Sequence, residues 1–293
     1  MRGLLRECAL VIVLATVLVS IALGALHFPP TALGQSCQPL GPGAVDYGWA
    51  RRTMELMGTA FAMGFCDSPI TRGPIIAGTL RAATITAQLV LTSMTGVVLL
   101  AIPLGIRAAS HDGSRVTRAL RQALDVVSGL PVLFWCTLLY LVLARGFDMI
   151  PGSNGHALVT LAVAMAALIG GDHLLSDLVR RVELATREIR SEPYMRTVRA
   201  GGFGESRHLL LSLVPPIATT VMARAMFLVS GAIVVELLFD LPGLGTQIRE
   251  SLGRENPDPQ VALAASMALI GFGFVFRVLH RAAVYAADRR TGR

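Results

Sequence analysis

Residues 191–216 read SEPYMRTVRAGGFGESRHLLLSLVPP, a charged, glycine-punctuated run set between two stretches apolar enough to span a bilayer. Ser191 or Glu192 is placed to cap a helix whose first position is Pro193, where a missing N–H costs nothing. Tyr194 and Val198, four apart, and Met195 and Val198, three apart, fall on one face of that helix; Arg196 and Arg199 point elsewhere. Gly201-Gly202 ends it, because glycine tolerates positive φ. Phe203 opens a second helix that runs through Glu205, Arg207 and His208 and enters the membrane at Pro215-Pro216. The expected object is a helix–glycine–helix elbow with an apolar patch ringed by arginines. Two uses fit it: a basic loop resting near anionic lipid, or a docking knob for another protein, whose hot spots favour aromatic residues and arginine.

The rest of the chain sets that elbow on a membrane. Of 293 residues 53% are hydrophobic and 15% charged, with mean hydropathy +0.61, whereas soluble domains carry about 25% charged residues. A spanning helix needs about 20 mostly apolar residues. Six segments qualify: 8–26, about 84–106, about 126–144, about 157–178, about 212–236 and about 261–280. The first has the length of an uncleaved anchor rather than a signal peptide. Placing both termini in the cytoplasm puts 18 arginines inside and 7 outside, with Arg224 within a span. That is the asymmetry of the positive-inside rule, and it puts 188–208 in the cytoplasm. The expected fold is therefore an all-α integral membrane protein with six transmembrane helices. Its parts are an N-terminal helix (1–26), an extracytoplasmic segment (27–83), a five-helix core (84–283) and a cytoplasmic tail (284–293). Cationic loops beside apolar spans are a topology signal, so the net charge of +7 argues for membrane lipid and against nucleic acid.

All 26 basic residues are arginine. A Walker-type phosphate loop needs a lysine, as does Schiff-base chemistry, so nucleotide-driven work has to come from a partner. No cofactor is expected, and six scattered histidines without ligand spacing point to no metal. Cys8 and Cys136 lie in apolar spans; Cys37 and Cys66 share the outer segment, where a disulfide is permitted. Arg224, Asp172 and His173 are polar residues within spans and so are functional candidates by default. The plainer reading is a structural pair between Arg224 and Asp172. Glu236 and Asp240 flank the turn Pro242-Gly243-Leu244-Gly245, where Glu236 is placed to accept hydrogen bonds from exposed N–H groups. An intramembrane serine protease built on Ser230 and His280 is disfavoured. The two lie toward opposite ends of their spans, roughly 20 Å apart at 1.5 Å per residue. A transporter working without ATP is the other rival, and the arginine-rich elbow speaks against it.

The elbow also resembles the cytoplasmic loop of binding-protein-dependent ABC importer permeases, in particular the peptide/nickel permease family. The loop pattern Y-x-R-T-x-R-A-x-G is matched by Tyr194, Arg196, Thr197, Arg199, Ala200 and Gly202, with Pro215 thirteen residues beyond. Glycine at 201 and Val198 depart from the family's usual lysine and small residue. Ile102-Pro103-Leu104-Gly105, DVVSGLPVLF from Asp125 to Phe134, and the run from Glu236 through Leu244-Gly245 are similar to further family motifs. The outer segment departs most, holding only GFCDS at 64–68 as a loose echo. The resemblance implies half of a permease pair, with a second permease subunit, two cytoplasmic ATP-binding subunits, an extracytoplasmic solute-binding lipoprotein and a peptide-like solute. It makes 190–208 a coupling helix. Tyr194, Met195, Arg196, Thr197, Arg199, Gly202, Phe203 and Arg207 would meet the ATPase. Met195 and Phe203 are its apolar seat, Tyr194 a rim hydrogen bond and Gly202 the angle of the elbow. Glu236, Asp240, Pro242, Gly243, Arg224 and Asp172 would belong to the outer gate or translocation path.

Overall fold

The protein is described by a computed structural model covering residues 67–68, 70–71, 73–111, 114–146, 157–201, 205–253 and 258–291. The expected first span at 8–26 and the Cys37–Cys66 question lie outside the described residues. The described chain is helical apart from one pair of two-residue strands, β1 (Asp67–Ser68) and β2 (Gly73–Pro74). Helices follow in the order α1 (Ile75–Ser110), α2 (Arg115–Ser128), α3 (Val132–Gly146), α4 (Ala157–Gly170), α5 (Leu174–Ser191), α6 (Pro193–Ala200), α7 (Glu205–Phe239), α8 (Leu244–Gly253) and α9 (Pro259–Thr291). Three of these, α1, α7 and α9, are unbroken and apolar enough to cross a membrane, and they contain the expected second, fifth and sixth spans. At 36, 35 and 33 residues each runs for about 50 Å, well beyond the ~30 Å hydrocarbon layer.

Two expectations of continuous helices need correction. The expected third span is broken: α2 and α3 meet at 90° across Gly129–Pro131, so residues 126–128 belong to α2. The fourth is broken by 56° between Gly170 and Leu174. A proline without an N–H at 131 and two left-handed residues, Asp172 (φ 56) and His173 (φ 60), make the breaks. In hydrocarbon a break leaves backbone groups that nothing but protein can satisfy, and these two breaks satisfy each other. The His173 N–H donates to Ser128 O at 2.7 Å, and the Asp172 N–H to Leu130 O at 3.4 Å. Pro215 and Pro216 lie inside α7. The hydroxyls of Thr219 and Thr220 both turn back to Pro216 O, at 3.1 and 2.8 Å.

The described residues fall into two compact units, each taken alone. One comprises 89–235 and 276–291. In it α3 packs on α4, and α5 packs on α2, α4 and α6. Gly105 makes the approach of α1 to α5 possible, since a Cβ there would sit 2.7 Å from the Val182 side chain. The other comprises the residues up to 88 with 236–275. Its core is Ala82, Leu244 and Ala265, enclosed by Ile248, Leu269 and Phe272. The hairpin is antiparallel, pairing Asp67 with Pro74. It is tied to α9 by Ser68 Oγ, which donates to Asp258 Oδ2 at 2.7 Å. The other carboxylate oxygen of Asp258 caps α9, accepting from the N–H groups of Gln260 and Val261 at 3.2 and 3.3 Å.

Candidate functional site

The elbow takes shape in the first of these units. α5 ends at Ser191, Glu192 is extended (φ −66, ψ 142), and α6 begins at Pro193. The Ser191 hydroxyl donates to Glu188 O at 2.7 Å and so does not cap α6. The N–H of Gly201, just past the helix, donates to Thr197 O at 2.9 Å. Gly202 and Phe203, and the side chains of Arg199 and Arg207, lie outside the described residues. Arg196 and Thr197 are exposed.

Two assignments change. Met195 is 0% exposed, so it is not a surface seat for a partner: α6 packs back on α5. The Tyr194 hydroxyl is likewise engaged within the chain, 2.9 Å from Ser212 Oγ on α7. What α6 offers outward is its arginine and threonine side.

Arg190, at the base of the elbow, was not singled out by its sequence pattern. Its Nη1 donates to Ser110 Oγ at the end of α1, 2.9 Å away, and its Nε lies 3.3 Å from Glu205 Oε1 at the start of α7. One guanidinium thus holds the ends of three helices around α6. Arg190→Ala is expected to cost less than about 1 kcal/mol of stability, since both partners are about one-third exposed. Thermal unfolding of the purified protein checks this.

A second charged cluster braces α2 against α5. Glu183, 5% exposed, bonds both Arg121 and Arg187. They wall a cavity of about 340 Å³ with Asp125, Arg180 and Leu184. The spacing of Glu183 and Arg187 is visible in the sequence, whereas Arg121, 62 residues away, carries no local signal.

The other unit holds the Pro-Gly-Leu-Gly turn. α7 stops at Phe239, Asp240 takes a left-handed conformation (φ 52), and α8 starts at Leu244. The first N–H groups of a helix have no intrahelical acceptor, and here they are met from elsewhere. Glu236 Oε2 accepts from Gly245 N at 2.7 Å, and Thr86 Oγ1 accepts from Leu244 N at 3.0 Å. Thr86 in turn bonds Glu236 Oε1 at 2.6 Å. The Glu236 backbone carbonyl accepts from Thr246 Oγ1 at 3.1 Å. Glu236 is 0% exposed. Its carboxylate occupies the space that a Cβ at Gly243 would need, so only glycine fits there. Asp240 and Pro242 are exposed, with Asp240 paired to Arg249. They border a cleft of about 390 Å³ shared with Arg81, Thr246 and Glu250.

Within the spans, Arg224 pairs with Asp177 and not with the expected Asp172. The break before Leu174 is the reason: it puts Asp177 in the first turn of α5, within reach of α7, and leaves Asp172 exposed on the bend. His173 and Asp177 do not share a continuous helix face, because His173 is the left-handed residue before α5. The Arg224 guanidinium also lies 5.4 Å from the centroid of the Phe227 ring. Ser230 Oγ donates to Met226 O and Phe227 O, at 2.9 and 3.2 Å on its own helix. Its hydroxyl is therefore spent locally and not aimed at a histidine. Among the described residues no group of three or more histidine, cysteine or carboxylate side chains is arranged to hold a metal.

Three unbroken apolar helices and two bent helix pairs give the chain the make-up of an integral membrane protein. Residues 101–284 match the model of the binding-protein-dependent transport system inner membrane component, and the chain belongs to that family. It is 26% identical over 222 residues to the dipeptide transport system permease protein of Escherichia coli K12. That alignment covers 63% of this chain and 65% of the relative. It is 28% identical over 225 residues to the glutathione transport system permease protein of Salmonella typhimurium LT2, covering 74% of this chain and 72% of the relative. The chain thus spans just under two-thirds of the length of the dipeptide permease.

Proposed function

We propose that this chain is one half of the translocation pathway of an ATP-driven importer for short peptides or related zwitterionic solutes. It has six spans and both termini in the cytoplasm. ATP is hydrolysed by two cytoplasmic partner subunits, since an all-arginine chain carries no phosphate-loop lysine. A second permease completes the pathway, and an extracytoplasmic binding protein delivers the solute. The solute class follows the relatives, a dipeptide and a glutathione transport system permease protein.

Coupling runs through residues 190–208. The observation that carries this reading is the construction of α6. Eight residues long, it is fixed at its start by Pro193, seated by buried Met195 and tied to α7 by Tyr194. A short element held at several points passes displacement on to α7, where a mobile loop would absorb it. Arg196 meets acidic groups on the ATPase surface, and Arg199, Gly202 and Phe203 belong to the same coupling segment. Glu236, Asp240, Pro242 and Gly243 form a rigid turn at the outer gate.

Thr197→Cys in the assembled transporter tests the assignment. In the nucleotide-trapped complex it is expected to crosslink to an ATP-binding subunit through a short thiol reagent. A residue 197 that labels only with membrane-impermeant reagents from outside, or only with lipid probes, overturns both the orientation and the coupling role.

A further inference from the structure

α2 is built inside out for a helix in water. Its residues Val116, Ala119, Ala123, Val126 and Val127 fall in one sector about 100° wide, the apolar stripe that a surface helix normally turns to the core. Here all five are exposed, Val116 to 72% and Val126 to 70%. The buried residues of the helix are instead polar, Thr117 and Ser128. From that same side Arg121 reaches Glu183 on α5.

The surroundings of this face point to lipid. α3 joins α2 at 90° and exposes Leu133, Phe134, Leu141 and Val142, so α2 lies along the membrane plane where α3 crosses it. The 15 residues of α3 rise about 22 Å, short of the ~30 Å hydrocarbon layer. The shortfall is about the 5–10 Å to which an interfacial helix beds its apolar face. Trp135 marks the corner: its indole N–H donates to Val127 O at 3.0 Å, and the Phe134 ring stands edge-on to it, centroids 6.4 Å apart. Tryptophan gathers at the membrane–water boundary, where its ring meets lipid and its N–H finds an acceptor. Charge agrees. Arg115, at one edge of the apolar sector, and Arg118, further round the helix, are both exposed. Their stems can lie along apolar surface while the guanidinium groups reach headgroup phosphates.

We propose that α2 is an interfacial helix bedded in one lipid leaflet, its valine face among the upper acyl chains and Arg115 and Arg118 on the phosphates of anionic phospholipid. Arg121 and Glu183 brace the same helix to α5, which leads into the elbow, so the leaflet sets the level at which α6 stands. That this leaflet is the cytoplasmic one rests on the orientation proposed above; the bedding itself does not.

The test places a fluorescent label on single cysteines of the full chain, reconstituted with its co-purifying subunits into vesicles of phosphatidylcholine and phosphatidylglycerol. Cys8, Cys37 and Cys66 are replaced by alanine, and buried Cys136 is left in place. Labels at Val116→Cys and Val126→Cys should each lose more than about half of their emission to a nitroxide high on the lipid acyl chain, and little to iodide, as a face at that depth requires. Asp125→Cys, exposed on the far side of the helix, should show the reverse. Labels at 116 and 126 shielded from both quenchers would mean that a protein, the second permease subunit, covers the face. Iodide alone reaching them would mean that water does. Either result overturns the proposal. Moving the nitroxide from phosphatidylcholine to phosphatidylglycerol at equal mole fraction should raise quenching at 116 about twofold. The rise should vanish when Arg115→Gln and Arg118→Gln are combined. Equal quenching by the two lipids without those substitutions overturns the headgroup assignment. None of these readings needs transport. A chain that imports no peptide yet keeps this pattern refutes the importer reading and leaves the lipid face standing.

Discussion

Glu236→Ala is expected to destabilise the protein by about 3 kcal/mol and to abolish uptake, whereas Glu236→Gln should retain most of both. Alanine leaves the Gly245 N–H without an acceptor in a site closed to water. A buried orphaned donor costs about 1–3 kcal/mol, and the void left by the side chain adds to it. It also removes a negative charge from the N-terminus of α8, where the helix dipole favours one. Glutamine can turn its carbonyl to Gly245 and donate its amide to Thr86 Oγ1. The threonine hydroxyl then points to Ala82 O, already 3.2 Å away. Gly243→Ala should reproduce the alanine phenotype from the other side, because its Cβ displaces the same carboxylate. Thermal unfolding of the purified complex, read beside uptake, decides the matter. If Glu236→Gln unfolds like the wild type yet transports nothing, the charge acts on the solute path and the capping account fails.

That capping role was partly legible from composition and order alone: a glutamate six residues before a Pro-Gly-Leu-Gly turn invites a carboxylate acceptor for the following N–H groups. Its partner Thr86 was not, since 150 residues separate them and nothing local marks that threonine. Spans were legible where apolar length sufficed, as in α1, α7 and α9. They were misread where a break was needed. Hydropathy is blind to backbone conformation, so 126–144 and 157–178 looked continuous even though Gly129–Pro131 and Gly170–His173 contain the breakers. The same misreading gave Arg224 the wrong carboxylate. On an unbroken helix Asp172 and Asp177 would point about 140° apart; with the 56° bend between them it is Asp177 that pairs with Arg224. In the elbow, glycine and proline punctuation located α6 correctly. Which of its faces is turned inward was a tertiary matter: Met195, which the resemblance set against a partner, is buried, while Tyr194 stays exposed with its hydroxyl beside Ser212 on α7.

That inward turn sharpens what the outward face should do, and Arg196→Glu is its strongest test. Successive residues of a helix point about 100° apart, so burying Met195 leaves Arg196 exposed, as observed. No packing is lost when an exposed side chain changes, so the folded state should be within about 0.5 kcal/mol of wild type. Association is another matter. Removing one member of a desolvated charge pair costs about 2–5 kcal/mol, and reversal adds repulsion between like charges. The expected result is about 30-fold or more weaker binding of the ATP-binding subunits, with uptake lost in proportion and the melting temperature unchanged. Arg196→Lys should fall between, because a point charge replaces a bidentate fork. An acidic-to-basic change on the ATPase surface should restore Arg196→Glu. Full assembly and uptake by Arg196→Glu would mean that α6 meets lipid headgroups or solvent, and that the force on α7 enters somewhere else.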